Sequence, residues 1–215
     1  MREETENTVS ALSDPASARL TGARSQRAFS ALLDTLARPG TVASLDAVGI
    51  PDDVPTALVV PLALADVEVS VAVADDRWQR FLVDVTGCRT AAPAVASMVV
   101  FLTPPDRDSI LSLRRGNDEA PEGGAKVAIA VDGLRAHEGA EAHADELVVE
   151  LTGPGVDGSC RLAIAGLSAA ALDAIATANG GFPSGIDTWL VARDGSIAAL
   201  SRSTHIALAD LTEVR

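Results

Sequence analysis

The feature of this chain that most restricts its fold is a β-hairpin signal near the C-terminus. Two apolar runs, Trp189–Val191 and Ile197–Leu200, flank the dipeptide Asp194-Gly195. Asp-Gly between apolar runs supplies the positive φ angles that a tight hairpin turn requires. The stretch before the hairpin, residues 179–185, is too rich in glycine and proline for a helix or a strand. The sequence therefore predicts a loop followed by an antiparallel pair of strands.

A strong helix is predicted for residues 22–38, near the other end of the chain. Its apolar side chains recur at the spacing that places them on one helix face, which we expect to contact a core. They are Phe29, Leu32, Leu33 and Leu36. The helix is expected to end at Arg38-Pro39-Gly40, because proline cannot continue it and glycine permits the turn that follows.

Helical and strand segments alternate over the rest of the chain, which predicts a layered α/β fold. The predicted strands are Val67–Val73, Ala96–Leu102, Lys126–Val131, Glu146–Thr152 and Cys160–Ile164. The predicted helices are Asp53–Asp66, with a kink or break at Pro61, then Asp76–Phe81, Asp106–Arg114 and Ser168–Ala178. The nearly continuous apolar run Ala96–Leu102 is typical of a central strand buried on both faces. We expect a polar lead-in over residues 1–20 and one α/β domain with a mixed sheet over residues 21–215.

Composition and charge exclude several classes of function. The formal net charge of −13 disfavours attraction to nucleic acid or to anionic lipid. We find no apolar run of about 18 residues that would span a membrane and no secretory pattern at the N-terminus. These features predict a cytoplasmic protein without nucleic-acid or membrane partners. Its two cysteines, Cys88 and Cys160, are expected to be free buried thiols.

We predict no metal site and no catalytic residues of the chain's own. The acidic loop of residues 116–124 lacks the alternation of a calcium loop, which favours a solvated connection. His137 and His143 lie in an acid-rich segment, and we expect an exposed loop or hairpin edge there. The turn Leu151-Thr152-Gly153-Pro154-Gly155 is not a phosphate loop, since its proline removes an amide donor. Lys126 is the single lysine, and we expect it on the solvent face of a strand.

Five short motifs together resemble the PhnH family, a subunit of the bacterial carbon–phosphorus lyase system. They are RAFSALLDTLARPGT at residues 27–41, G-x-x-x-x-P-x-x-G-A at residues 116–125, LTGPGV at residues 151–156, FP-x-G-I-D at residues 182–187, and A-L-x-R-x-T at residues 199–204. Each motif is short, but their order and spacing across most of the chain are specific. The chain departs from the family pattern at Ser201, where proline is usual, and at Ser184, where a larger apolar residue is usual.

The resemblance implies a fold, a role and a set of partners. The fold would be a three-layer α/β/α domain similar to the large domain of pyridoxal-phosphate-dependent transferases, without that cofactor or any other. The isolated chain would be a homodimer, and in the cell it would join the G, I and J subunits. Its role would be accessory, in the step that joins an alkylphosphonate to C1 of the ATP ribose with loss of adenine, ahead of C–P bond cleavage. Two separated cysteines cannot hold the iron–sulfur cluster of the cleaving subunit.

The residues that match family motifs and carry polar groups are Arg38, Arg202 and Thr204. Arg202 and Thr204 can bind a phosphate or phosphonate, since a guanidinium offers forked, charge-assisted hydrogen bonds. Arg202 can equally pair with Asp187 and join two segments, and we favour this structural pairing. Two alternative functions follow: a stand-alone binding protein for a small phosphorylated ligand, and a degenerate pyridoxal-phosphate enzyme.

Overall fold

The computed structural model describes residues 14–139 and 142–209, so the first thirteen residues of the predicted lead-in lie outside the described part. The described helices are α1 (Pro15–Ala18), α2 (Ala23–Ala37), α3 (Val59–Leu64), α4 (Asp76–Thr86), α5 (Arg107–Leu111) and α6 (Ala169–Ala178). The strands are β1 (Ala43–Ser44), β2 (Ser70–Val73), β3 (Arg89–Thr90), β4 (Met98–Phe101), β5 (Lys126–Val131), β6 (Gly133–Ala136), β7 (Glu146–Thr152), β8 (Cys160–Ala165), β9 (Asp187–Ala192), β10 (Ser196–Leu200) and β11 (His205–Leu208).

The larger of two sheets has seven strands in the order β1-β10-β9-β5-β4-β2-β3. Strands β9, β5, β4, β2 and β3 run parallel, whereas β10 and β1 are antiparallel to their neighbours. The predicted α/β class with a mixed sheet is therefore confirmed. The predicted hairpin is β9–β10, with Ile197 opposite Val191, and its turn glycine, Gly195, has φ +86°. An L-residue side chain is strained at that φ, which accounts for the Asp-Gly pair.

Alternate residues of the central strands point into two separate cores. In β4, Met98 and Val100 pack with α2, α3 and α4, whereas Val99 packs on the opposite face with α5 and α6. The same alternation holds in β9, where Trp189 belongs to the first core and Leu190 to the second. The predicted central strand buried on both faces is thus confirmed for β4.

A second sheet, which is not apparent from the sequence, covers part of the opposite face. It has four antiparallel strands in the order β11-β7-β8-β6, and its apolar side chains join the second core. One outer layer therefore consists of helices α2, α3 and α4, and the other combines α5 and α6 with this sheet. Its outer strands β6 and β11 have four residues each and are poor in apolar alternation, so they give no strand signal in the sequence.

The predicted apolar stripe of α2 is wrong in two of its four residues. Phe29 and Leu33 are 50% and 53% exposed, whereas the predicted Leu32 is buried together with Ala28 and Thr35, which were not predicted. These three residues share a helix face, and the small side chains let the helix approach the sheet closely. The indole of Trp189 in β9 donates a hydrogen bond to the carbonyl of Leu32 at 3.1 Å. The spacing of apolar residues fits either of two neighbouring faces of α2, so it cannot show which face contacts the core.

Four other predicted elements differ in extent, one of them the helix predicted for residues 106–114, which in the structure is the shorter α5 (Arg107–Leu111). The helix predicted for residues 53–66 is a 3-10 turn at residues 56–58 followed by α3. Pro61 causes no kink because it lies in the first turn of α3, where backbone N–H groups have no intrahelical acceptor. The strand predicted for residues 67–73 is shorter and mostly buried, and Val67 is 68% exposed. The helix at Asp76 runs on to Thr86, where Gly87 ends it.

The polar segment around the histidines was predicted as exposed, which is correct for His143 and wrong for His137. His137 is 7% exposed and follows β6, and its backbone N–H donates to the carbonyl of Arg161. Its ring Nδ1 is buried without a partner among the described residues. Within residues 14–139 and 142–209, no helix is long and apolar enough to cross a membrane.

Glu146 at the start of β7 holds the polar segment against the second sheet. Arg135 donates two hydrogen bonds to its carboxylate, at 2.8 and 2.6 Å, and the backbone N–H of His143 donates a third at 2.9 Å. The Arg135 hydrogen bonds lower the pKa of Glu146 to about 2, against an opposing effect of burial. Its pKa in the folded chain thus lies below the ordinary value of 4.5.

We expect Glu146 to make stability depend on pH in acid. A carboxylate with a depressed folded pKa stabilises the fold above its ordinary pKa, and this contribution is lost as pH falls from about 4.5 towards about 2. Glu146→Gln should lower the free energy of unfolding by about 1–2 kcal/mol at neutral pH, and should flatten its decline in acid. Urea unfolding across this pH range measures both. Glu150→Gln is the control, since Glu150 meets Arg161 only at 3.5 Å; an equal effect of the two variants would refute the role of Glu146.

Candidate functional site

A cleft of about 550 Å³ lies between the end of α6 and the beginning of β11. The glycine-rich loop of residues 179–185 and the segment that joins β10 to β11 complete its walls. Its lining residues are Pro154, Ala176, Asn179, Gly180, Phe182, Arg202, Ser203, Thr204, His205 and Ile206. Two of the three residues singled out from the sequence, Arg202 and Thr204, are therefore on one cleft.

All three nitrogens of the Arg202 guanidinium donate hydrogen bonds to other groups of the protein. Its Nη2 lies 2.5 Å from Asp187 Oδ2, its Nε bonds both carboxylate oxygens at 3.2 Å, and its backbone N–H donates to Asp187 at 3.0 Å. Its Nη1 donates to the carbonyl of Pro121. Both side chains of the ion pair are 14% exposed. The pairing with Asp187 that we favoured from the sequence is present, and it joins β9, the β10–β11 connection and the loop before β5.

The hydroxyl of Thr204 is also engaged within the protein. Its Oγ1 lies 2.9 Å from Ser201 Oγ, which in turn lies 3.0 Å from Ser203 Oγ. Thr204 is 4% exposed, and its backbone N–H closes a turn on the carbonyl of Ser201. These bonds shape the connection between β10 and β11. Ser201, a departure from the family pattern, is thus part of this hydroxyl network.

Arg38 does not join the other two residues. It follows the last residue of α2, its side chain is 62% exposed, and it pairs with Asp34 at 3.3 Å one helical turn earlier. It does not line the cleft. The sequence could not separate these positions, because all three match family motifs equally well.

The five motifs that carry the family resemblance contact one another in the fold. A Cβ at Gly124 would overlap the carbonyl oxygen of Gly185, so the second and fourth motifs touch there. A Cβ at Gly153 would lie 2.8 Å from the carbonyl oxygen of Ser203, which joins the third motif to the fifth. A Cβ at Gly155 would overlap the carbonyl of Ala37 at the end of α2. The motifs thus form one packed junction beside the cleft.

Asn179 also lines the cleft, although nothing in the sequence singles it out. It is 7% exposed, and its Oδ1 accepts a hydrogen bond from the backbone N–H of Ile186 at 2.8 Å. Its Nδ2 is buried without a partner among the described residues. An asparagine before two glycines is a common turn signal, so the sequence gave no reason to place Asn179 at a site.

The other reactive groups are dispersed. Lys126 lies at the amino end of β5 and is half-buried. β5 is a central strand whose other residues are largely buried, so it has no solvent face, and the expectation that Lys126 lies on one was wrong. Within the described ranges, no cluster of three or more His, Cys, Asp or Glu side chains is placed to hold a metal ion. Both cysteines are free thiols, and Cys88 is buried as expected, whereas Cys160 is only half-buried; that burial raises the pKa of the Cys160 thiol.

Comparison with known proteins assigns this arrangement to a family. The family described as bacterial phosphonate metabolism protein (PhnH) matches residues 19–207. The chain belongs to the PhnH family. The matched residues include all five motifs and the whole junction that they form, and a role in phosphonate metabolism follows. No curated protein matches the chain.

Proposed function

We propose that this PhnH chain is a non-catalytic, accessory subunit of the carbon–phosphorus lyase core complex. It serves the step that joins an alkylphosphonate to C1 of the ATP ribose with loss of adenine, before the C–P bond is cleaved. Its partners are the G, I and J subunits, and the complex acts in the cytoplasm. The isolated chain is a homodimer. The family match supports the pathway, and the chain's own geometry supports the accessory role.

The contacts that the motif residues make within the protein support the accessory role. Arg202 and Asp187 neutralise each other, and Thr204 bonds neighbouring hydroxyls, so these polar groups hold segments together. A catalytic site needs a nucleophile or base with an orienting partner and room for a reacting atom. Among the described residues, the five motifs converge on backbone contacts and this ion pair, which suits a scaffold that shapes another subunit's site.

The stand-alone binder of a small phosphorylated ligand is the weaker alternative. Phosphate recognition favours an arginine fork that is open to the ligand. In this chain the fork of Arg202 is occupied by Asp187 and by the carbonyl of Pro121. A phosphate would have to compete with a carboxylate of the same charge for the guanidinium.

Growth on a phosphonate tests the proposed role. We expect a strain that lacks this chain to fail with methylphosphonate as the phosphorus source and to recover when the chain is restored. Growth on inorganic phosphate should be equal in all strains, which controls for general fitness. Normal growth of the deleted strain on methylphosphonate would contradict the proposal.

A further inference from the structure

Strand β11 forms an open edge of the second sheet. It bonds β7 on one side, and no other described strand pairs with its outer side. The remaining sheet edges offer less for pairing, because β1 and β3 have two residues each and β6 lies next to β9 and β10. The four residues of β11 include no proline and no formally charged side chain. Proline and charges are the usual protection against pairing at an edge, so the edge at β11 is open to another strand.

The register of β11 shows which of its backbone groups face outwards. The N–H of Ala209 donates to the carbonyl of Val148 at 2.9 Å, in the register that places Leu208 opposite Val149. Hydrogen bonding alternates along an antiparallel ladder, so the odd-numbered residues of this strand bond β7 and the even-numbered ones face away from it. Ile206 and Leu208 therefore each present one donor and one acceptor at the outer edge.

The side chains of the same two residues continue the apolar surface of the cleft. Ile206 and Ala176 line both the cleft and a groove of about 180 Å³ between α6 and β11, so cleft and groove are continuous. Leu208 lines the groove and is 58% exposed, and Phe182 lines the cleft and is 67% exposed. An open strand edge and an exposed apolar surface thus adjoin one another.

The charge of this surface favours a second copy of the chain as its partner. Each copy has a net charge of −13, so two copies repel one another unless they meet where unpaired acidic groups are absent. The charged residues that line the cleft and the groove are Arg202 and Asp173, which pair with Asp187 and Arg107. A strongly charged partner would find no attraction here, whereas a second copy would meet no repulsion.

We propose that two copies of the chain pair antiparallel through β11, about a two-fold axis at Ala207. In this register Ile206 of each copy lies opposite Leu208 of the other, so the outward donors of one strand meet the outward acceptors of its mate. Side chains of opposite residues share a face of the sheet, so Leu208 of one copy lies against Ile206 at the cleft of the other. The two second sheets become one continuous sheet. The inference rests on the homodimer of the proposed function and assigns its interface.

Lysine substitutions at two exposed leucines test this interface. Leu208→Lys places a charge against the apolar cleft of the other copy and should weaken the dimer at least about tenfold. Leu33→Lys is the matched control, since Leu33 is 53% exposed on α2 and should leave the dimer unchanged. Both variants change the net charge equally, so general repulsion cannot explain a difference between them. Sedimentation equilibrium of the full chain over a dilution series measures the dissociation constant, and thermal unfolding shows that each variant is folded.

A cysteine at the two-fold axis tests the register. Ala207 would face its own counterpart in a non-hydrogen-bonded pair, where Cα atoms lie about 4.5 Å apart, within the span of a disulfide. We expect mild oxidation to link Ala207→Cys into a covalent dimer on a non-reducing gel. The unaltered chain, with its free thiols Cys88 and Cys160, and the variant Ala37→Cys, at an exposed alanine of α2, should stay unlinked.

The outcomes separate this interface from the accessory role. A monomeric unaltered chain, a dimer weakened by Leu33→Lys and not by Leu208→Lys, or the absence of a disulfide in Ala207→Cys would overturn the interface. A monomer that still joins the G, I and J subunits would refute the interface alone. A β11 dimer that never joins them would support the interface and refute the accessory role.

Discussion

Arg202→Ala is expected to lower the free energy of unfolding by about 3 kcal/mol, because it leaves a largely buried carboxylate without its partner. Asp187 is 14% exposed, and its described side-chain contacts are with Arg202. The substitution also removes the donor to the carbonyl of Pro121, so the loop before β5 loses one hydrogen bond to the β10–β11 connection. Urea unfolding of the purified chain measures the loss.

Two comparisons separate this ion pair from a surface pair. Arg161→Ala breaks a 3.5 Å pair with Glu150, whose side chain is 38% exposed, and should cost less than about 1 kcal/mol. Arg202→Met combined with Asp187→Leu removes both charges and should be milder than Arg202→Ala, since no carboxylate stays unpaired. A loss from Arg202→Ala as small as that from Arg161→Ala would show that solvent already screens the pair.

Gly155→Ala is expected to lower the free energy of unfolding by about 3 kcal/mol or more, since two costs add at this position. Gly155 has φ +85°, where an L-residue is strained by about 1–2 kcal/mol. The new Cβ would also overlap the carbonyl oxygen of Ala37 at the end of α2. The turn and the helix end must then move apart, and the motif junction opens. Urea unfolding and the thermal midpoint report this change.

Gly158→Ala is a matched control in the same loop between β7 and β8. Gly158 has φ +69°, but no atom lies within 4 Å of the position that its Cβ would take. This variant should therefore show the conformational cost alone, about 1 kcal/mol. The difference between the two variants measures the close packing. Equal losses would mean that the turn of residues 151–156 does not press on the end of α2.

The sequence predicted the elements whose signals are local. The hairpin at Gly195, the buried run of β4 and the helix α6 all depend on neighbours in the chain, and each is present. The second sheet was missed because β6 and β11 are short, and each becomes a strand only by pairing with β8 or β7. A four-residue segment carries no local signal of a strand that pairs with it from more than twenty residues away.

The candidate site was predicted in part. Arg202 and Thr204 lie on the cleft and Arg38 does not, which no spacing in the sequence could have shown. The pairing of Arg202 with Asp187 was foreseen because both residues match motifs and carry opposite charges. Asn179 was missed because its position on the cleft and its hydrogen bond from the backbone N–H of Ile186 exist only in the folded chain. The junction likewise depends on close approaches between glycines that lie far apart in the chain.

Co-expression of a tagged chain with the G, I and J subunits, followed by gel filtration and native mass determination, tests the proposed function most directly. We predict a stoichiometric complex that contains all four chains, with the isolated chain running as a homodimer. Omission of the other subunits in turn would show which of them contacts this chain. A clean homodimer that never associates with the other three would contradict the accessory-subunit account.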